Sequence, residues 1–199
     1  MVKQRDKSKK RNAIIEAAVH AFIEMGFDRA SMDYIAEKAE ASKRTVYNHF
    51  ESKEVLFNAV IQHFVQQSIE EKQIPYQANL PLEAQLNKFA ELKVGISTNQ
   101  LKMNFMRMAF GVMITHPNIA AQVMENAGKN DDGLQAWLDD ATADGRLIIE
   151  DTALASEVFW SMCSSAFFWM PMLQGELDAS KAETLKKEFV ATFLARYSK

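Results

Sequence analysis

The chain of 199 residues has only one cysteine, Cys163, and four histidines. One cysteine cannot form an internal disulfide or a zinc site built on several thiolates, and its sequence neighbours supply no base that would activate it as a nucleophile. The histidines show no HExxH spacing, and the sequence contains neither GxGxxG nor GxSxG. Gly128 and Gly133 match half of a phosphate-binding loop, but Leu134 and Gln135 stand where Lys and Ser or Thr are required. We therefore expect no catalytic residue, no metal and no cofactor.

Long apolar runs are also missing. The longest run, Val158 to Leu173, has 16 residues and is interrupted by three serines and Pro171. A membrane-spanning helix needs about 20 apolar residues, and no apolar stretch follows the basic N-terminus as a signal peptide would require. The sequence therefore predicts a cytoplasmic protein without a membrane segment.

The alternation of apolar and polar residues that marks a β-strand is nowhere sustained. Apolar residues make up 48% of the chain, which is enough for a sizeable core, and they recur at helical spacing. We therefore expect an all-α fold with one linker, from Pro75 to Pro81. Beyond the linker, helices are predicted over residues 82–97, 101–115, 117–127, 131–143, 152–174 and 179–197.

The stretch from Ser31 to Phe50 has the pattern of two short helices joined by a turn. Ser31 and Ser42 stand where N-caps are expected. An apolar stripe on the first helix is formed by Met32, Ile35, Ala36 and Ala39. The second helix, about Lys43 to Phe50, contains no carboxylate and turns only Val46 and Phe50 inward. It is roughly 12 Å long, and the DNA major groove admits one such helix, so we expect it to enter that groove.

The segment SKRTVYNHFESKEVLF, which begins at Ser42, resembles the signature of TetR-type transcriptional regulators, usually close to SKGTLYxHFxSKExLF. The resemblance covers about residues 9–65 and implies a three-helix DNA-binding domain with a helix-turn-helix motif from Ser31 to Phe50. In this family the positions matching Tyr47 and Lys53 contact backbone phosphates. The residues that we predict to contact DNA are Ser42, Lys43, Arg44, Thr45, Tyr47, Asn48, His49 and Lys53.

One residue departs from the family signature. Glu40 occupies a turn position at which the family most often has glycine. If this position requires a positive φ, a side chain there costs about 1 kcal/mol. We therefore expect a slightly remodelled turn.

Positive charge is concentrated near the N-terminus. Residues 1–53 contain 11 Lys or Arg and 8 Asp or Glu, whereas the rest of the chain contains 12 basic and 18 acidic residues. Ahead of a first helix from about Asn12 to Met25, the basic segment 1–11 is either a solvated tail or an arm that contacts phosphate or the minor groove. We predict a DNA-binding domain at 1–53 and a ligand-binding and dimerisation domain at 54–199, connected by a fourth helix over 53–72.

The sequence beyond the linker has a surplus of methionine and aromatic side chains. They either pack a core or line a cavity for a small ligand, for which methionine is well suited. The resemblance to TetR regulators implies such a cavity. Arg107 could anchor an anionic ligand, pair with an acid or extend to water. The candidate ligand-binding residues are Phe105, Met106, Arg107, Phe110, Met113, Trp137 and Phe167.

The segment from Leu134 to Phe159 resembles the C-terminal domain of AefR-like regulators, a TetR subgroup. The resemblance to the TetR family as a whole implies a homodimer whose last two helices pack against those of the partner. The last helix carries two apolar stripes, of which one could face the partner: Leu185, Phe189 and Phe193, and Val190, Leu194 and Tyr197. Burial of both stripes in a large monomer is the alternative.

These features lead to two hypotheses on function. The first is a homodimeric regulator, usually a repressor in this family, that binds a palindromic operator in double-stranded DNA and is released by a small, largely apolar effector. The second is a ligand-binding or protein-interaction module that has kept a basic helix-turn-helix without binding a specific operator.

Overall fold

The structure is a computed structural model that describes residues 2–70, 74–127 and 133–199. Within these ranges the chain folds almost entirely into helices, and the all-α prediction is confirmed. The helices are α1 (Val2–Met25), α2 (Met32–Lys38), α3 (Lys43–His49), α4 (Lys53–Glu70), α5 (Leu82–Thr98), α6 (Gln100–Thr115), α7 (Pro117–Ala127), α8 (Leu134–Ala143), α9 (Thr152–Ser164), α10 (Met170–Gln174) and α11 (Ala179–Tyr197).

Most of the predicted helices occur with nearly the expected bounds, and the linker from Pro75 to Pro81 is non-helical as predicted. A π-helical turn, Ser165–Trp169, joins α9 to α10 without a break, so the predicted helix 152–174 is one continuous helical stretch. The predicted end of the fourth helix at Lys72 and the predicted start of another helix at Asp131 lie outside the described residues.

The first helix differs from the prediction. α1 begins at Val2, ten residues before the expected start at Asn12. The basic segment that we expected to be a tail or an arm is therefore the first part of α1. The segment has no glycine or proline to stop a helix, and its Lys and Arg side chains lose little freedom in one.

The described helices form two compact units. The first unit comprises α1, α2, α3 and α7 with most of α4 and α6, and the second comprises α5 and α8 to α11. This division differs from the predicted domains, which placed everything beyond residue 53 together. α6 joins the first unit because its Phe105 packs against Phe57 and Phe64 of α4, with ring centroids 6.2 and 4.7 Å apart.

Aromatic side chains build the core of the first unit. Phe22 of α1, Phe27 beyond its end and Phe57 of α4 surround one another, with ring centroids 5.0 to 5.6 Å apart. Ile35 of α2 and Val46 of α3 are fully buried in the same core. α2 and α3 are therefore held in place by α1 and α4.

The last helix, α11, packs against the other helices of the second unit along one wide apolar face. Val190 and Phe193 are buried, and the other four members of the two predicted stripes are partly buried against the same core. Both predicted stripes therefore contact the core of this unit in one chain, and a contact of either stripe with a partner stays a prediction. The exposed face of α11 carries Thr184, Glu188, Ala191 and Ala195.

A buried glutamine organises the start of the second unit. The Nε2 atom of Gln85 donates to the carbonyl oxygens of Gln77 and Leu80, at 2.8 and 3.0 Å. Its Oε1 atom accepts from the backbone N–H of Gln77 at 2.9 Å and from Nε1 of Trp137 at 3.1 Å. This side chain therefore ties the linker and α8 to α5.

None of the helices in the described ranges is both long enough and apolar enough to cross a membrane. Among the same residues, no three His, Cys, Asp or Glu side chains are grouped so that they could hold a metal ion.

We predict that Gln85→Leu lowers the free energy of unfolding by about 3 kcal/mol, because it leaves the buried Nε1 of Trp137 without a partner and removes three part-buried hydrogen bonds to the linker. Urea unfolding measures the change. The control is Gln135→Leu, since Gln135 is an exposed glutamine of α8, and it should alter stability by no more than about 0.5 kcal/mol. Equal stability of the two variants would contradict an anchoring role for Gln85.

Candidate nucleic-acid interface

Serine N-caps fix the start of both helices of the motif. The Oγ atom of Ser31 accepts a hydrogen bond of 3.1 Å from the amide of Tyr34, and Oγ of Ser42 accepts one of 3.1 Å from the amide of Thr45. Both predicted caps are confirmed. Each cap satisfies an amide that the first turn of a helix cannot pair.

The turn between α2 and α3 uses a strained residue. Glu40 has a φ of 47°, in the left-handed region. Its amide donates to the carbonyl of Glu37 at 3.1 Å, and the amide of Ala41 donates to the carbonyl of Ala36 at 2.9 Å. These two bonds form a Schellman motif, which favours glycine at the position of Glu40. The positive φ that the family signature suggested is therefore present.

α3 presents a polar face to solvent. Arg44, Tyr47 and Asn48 are exposed and lie at i, i+3 and i+4, on one side of the helix. Val46 is fully buried and Phe50 is 2% exposed, which fixes the opposite side. An arginine can pair with guanine and an asparagine with adenine in the major groove, and a tyrosine hydroxyl can donate to phosphate. The exposed face of α3 therefore has the chemistry to read DNA.

The other candidate residues at α3 are either half-buried or already engaged in contacts within the protein. Lys43 forms an ion pair with Asp33 of α2, but both side chains are exposed. Such a pair contributes little, so Lys43 can exchange it for a phosphate. Thr45 and His49 are half-buried, and the hydroxyl oxygens of Thr45 and Ser42 lie 2.8 Å apart. The two hydroxyls are therefore already engaged in the cap of α3.

Lys53 has a structural role that the sequence did not reveal. Its Nζ atom donates to the carbonyl oxygens of Phe27 and Asp28, at 2.7 and 3.0 Å, and lies 4.6 Å from the centroid of the Phe27 ring. An ammonium group has three N–H donors, so one remains for a phosphate. Lys53 therefore joins the start of α4 to the corner after α1, and its contact with DNA stays a prediction.

The same corner is contacted from the α6–α7 junction. The Nε2 atom of His116 lies 3.4 Å from Oδ1 of Asp28, and its ring packs on Phe27 with centroids 5.6 Å apart. At the start of α4, hydrogen bonds from the Ser52 hydroxyl and from the residue's own amide lower the pKa of Glu54, so this carboxyl group stays charged at neutral pH. Lys53 of α4 and His116 of the α6–α7 junction thus both contact the segment between α1 and α2.

The basic part of α1 contacts the motif directly. The Nζ atom of Lys10 donates to the carbonyl oxygen of Glu40 at 2.8 Å, and the guanidinium of Arg11 lies 5.2 Å from the centroid of the Phe50 ring. Neither contact could be predicted from local sequence, because one acceptor is a main-chain oxygen and both partners are 30 or more residues away. These contacts place positive charge next to the ends of α3.

The candidate ligand-binding residues fall in different units. The five candidates on α6 belong to the first unit, whereas Trp137 and Phe167 belong to the second. Trp137 and Phe167 are buried in the core of their unit. Arg107 donates to Oδ1 of Asn104 at 3.1 Å, so it has a partner on its own helix. The ligand-binding role of all seven residues stays a prediction.

Cys163 is buried in the second unit. Burial raises the pKa of its thiol to about 12, although the charge of Lys93 acts in the opposite direction. The thiol therefore stays protonated near neutral pH, which is not the state of a nucleophilic or metal-binding cysteine.

Both halves of the chain match known families. Residues 14–60 match the family described as bacterial regulatory proteins, tetR family, and residues 84–199 match the AefR-like transcriptional repressor, C-terminal domain. Since the second match alone covers more than half of the chain, this protein belongs to the TetR family of transcriptional regulators. Members of this family are DNA-binding regulators and not enzymes.

Related proteins agree with this assignment. A TetR family transcriptional regulator from Pseudomonas syringae pv. tomato is 31% identical, with a TM-score of 0.77 over 96% of this chain and 97% of that one. The flavonoid-responsive regulator FrrA is 25% identical, with a TM-score of 0.77 over 96% and 98% of the two chains. The transcriptional activator FasR of Mycolicibacterium smegmatis is 39% identical over 59 residues, which are 30% of this chain and 27% of FasR.

We predict that Glu40→Gly raises the free energy of unfolding by about 1 kcal/mol, because glycine adopts a positive φ without the steric cost that a side chain has. Thermal unfolding measures the change, with an expected increase in Tm of about 2–4 °C. Glu40→Ala is the control, since it removes the carboxyl group but keeps the strain. A less stable glycine variant would show that the Glu40 side chain contributes more than its φ costs.

Proposed function

We propose that this protein is a homodimeric repressor that binds a palindromic operator and is released by a small, largely apolar effector. The observation that carries the proposal is the exposed face of Arg44, Tyr47 and Asn48 on a capped helix whose other side is buried. A single α3 reads only a few base pairs, so specific binding needs two copies about one turn of DNA apart, or a multiple of it. Because its partner is DNA, we infer that the protein acts in the cytoplasm.

Two observations bear on the sign of regulation. The family that matches residues 84–199 is described as a repressor domain, whereas FasR, which shares 59 aligned residues, is an activator. The match to the repressor domain is the longer of the two and covers the C-terminal half of the chain. It therefore favours repression.

Exposed apolar side chains support a dimer through the last helices. Two of them lie four residues apart on α9 and three lie at the end of the same helical stretch: Leu154, Val158, Trp169, Met170 and Leu173. Contiguous exposed apolar surface commonly marks a protein interface. The exposed face of α11, with Ala191 and Ala195, has the small side chains that allow another helix to approach closely.

We predict that Leu173→Glu weakens the dimer at least about 10-fold, because it puts a charge into the apolar interface. Leu173 is 74% exposed in one chain, so the variant should still fold. Ile114→Glu is the matched control, since Ile114 is 79% exposed but lies on α6. Analytical ultracentrifugation over a range of concentrations measures the dimer dissociation constant of each variant. An equal increase of this constant in both variants would contradict the proposed interface.

The release mechanism that we propose is a population shift. The effector favours a spacing of the two α3 helices that no longer matches the operator. A 100-fold difference in DNA affinity needs only about 2.7 kcal/mol of differential effector binding. FrrA is described as flavonoid-responsive, so a protein with this fold responds to a small aromatic molecule. This supports an effector that is small and largely apolar.

We predict that Asn48→Ala changes which base pairs are preferred, at a cost of about 1–3 kcal/mol for the best site, whereas Tyr47→Phe weakens binding to all sequences alike. Tyr47 is 50% exposed, so the loss of its hydroxyl should leave stability unchanged. The assay is a gel shift with the DNA upstream of the gene, supplemented by a library of randomised sites. Lys187→Ala on the exposed surface of α11 is the control.

The same assay separates the two hypotheses on function. Nanomolar binding to one site that weakens steeply with salt supports the operator-binding regulator. Equal and weak binding to every duplex would favour a module without a specific operator. Lys53→Ala should weaken binding to every sequence, but it must be compared at a temperature at which the variant is folded, because Lys53 also holds the α1–α2 corner.

A further inference from the structure

Two amide side chains of α4 have buried polar atoms without hydrogen-bond partners. These atoms are Oδ1 of Asn58 and Nε2 of Gln62, and neither has a partner among the described residues. The two residues are four apart and therefore lie on one face of α4, with Cβ atoms about 5–6 Å apart. Buried polar atoms in folded proteins are nearly always hydrogen-bonded. A single group that both donates and accepts a hydrogen bond would satisfy the acceptor on one turn and the donor on the next.

The compact unit that contains this pair has an apolar core with adaptable side chains. α4 packs against α6 through Phe57, Phe64 and Phe105, and Met106 and Met113 are partly buried against the same core. Methionine side chains adjust their shape to a neighbour. The pair thus belongs to the same compact unit as the five candidate ligand-binding residues of α6.

We propose that Asn58 and Gln62 form the polar end of the effector site, and that the effector is an uncharged, largely apolar molecule with a hydroxyl group. This inference rests on the proposed release by an effector. Oδ1 of Asn58 needs a donor and Nε2 of Gln62 needs an acceptor, and one hydroxyl group supplies both. A carboxylate cannot donate and an ammonium cannot accept, and burial of either charge is costly.

A bridging water molecule is the competing explanation. Water also donates and accepts, and buried waters commonly join otherwise unpaired polar groups. A permanently bound water would make the pair a structural element, whereas the proposal requires a hydroxyl compound to bind there. Binding and stability measurements distinguish the two explanations.

The binding experiment uses a matched pair of probes. Isothermal titration calorimetry with the full chain compares 4-hexylphenol with its methyl ether, 4-hexylanisole. The phenol should bind at least about 10-fold more tightly, because the ether cannot donate to Asn58 and leaves that oxygen unpaired. In Asn58→Leu the two probes should bind about equally, and Gln62→Met should weaken the phenol about 10-fold. Equal binding of the probes to the unaltered protein, or no binding of either, would overturn the proposal.

Stability gives a second, independent readout. Gln62→Met and Asn58→Leu each replace an unpaired buried group with an apolar one of similar size, so each should raise Tm by about 2–4 °C. Gln135→Met makes the same replacement at an exposed site in the second unit and should leave both Tm and phenol binding unchanged. Lower Tm values for both α4 variants would show that the amides are already paired by water and would overturn the proposal.

The gel shift distinguishes failure of this inference from failure of the proposed function. If the unaltered protein binds its operator and neither probe binds the protein, only the assignment of the hydroxyl site fails. If the operator is not bound at all, the proposed function fails, whatever the probes do. Release of the operator by the phenol, but not by the ether, would support both.

Discussion

Burial of one side of α3 is the constraint on which the rest of the first unit depends. α3 has only seven residues, and isolated helices of that length are not stable in water. Its conformation therefore depends on the Ser42 cap and on the packing of Val46 and Phe50. Because Val46 is fully buried in the core of the first unit, the direction of Arg44, Tyr47 and Asn48 is fixed before DNA is present. Such preorganisation lowers the entropy cost of binding.

The features that could be predicted from the sequence are local ones. Serine caps and apolar stripes depend on residues three or four apart, and the positive φ of Glu40 followed from its position in a recognised turn. The contacts of Lys53 and Gln85 could not be predicted, because their main-chain partners are not distinguished by residue type. The packing of α6 with the first unit was also missed, since it depends on aromatic contacts between residues about 40 or more apart in the chain.

The α2–α3 turn shows how a distant residue supports a strained local conformation. A left-handed Glu40 is less favourable than glycine, yet two hydrogen bonds of the Schellman motif and one from Lys10 hold its segment in place. Lys10 lies on α1, so the basic segment of this helix stabilises the turn in addition to bringing positive charge near α3. A sequence that departs from the family signature at one position can therefore keep the positive φ of that position.

The position of the proposed effector site on α4 suggests how it is coupled to DNA binding. Asn58 and Gln62 lie about 8 and 14 Å along the helix axis from Lys53, and Lys53 holds the carbonyl oxygens of Phe27 and Asp28. A helix transmits a displacement along its axis with little loss, because each turn is hydrogen-bonded to the next. In the proposed mechanism, an effector that moves α4 therefore also moves the α1–α2 corner, and with it the core on which α3 is packed. The proposed coupling needs no contact between the effector and α3, because α4 carries the effector site and also holds the core on which α3 packs.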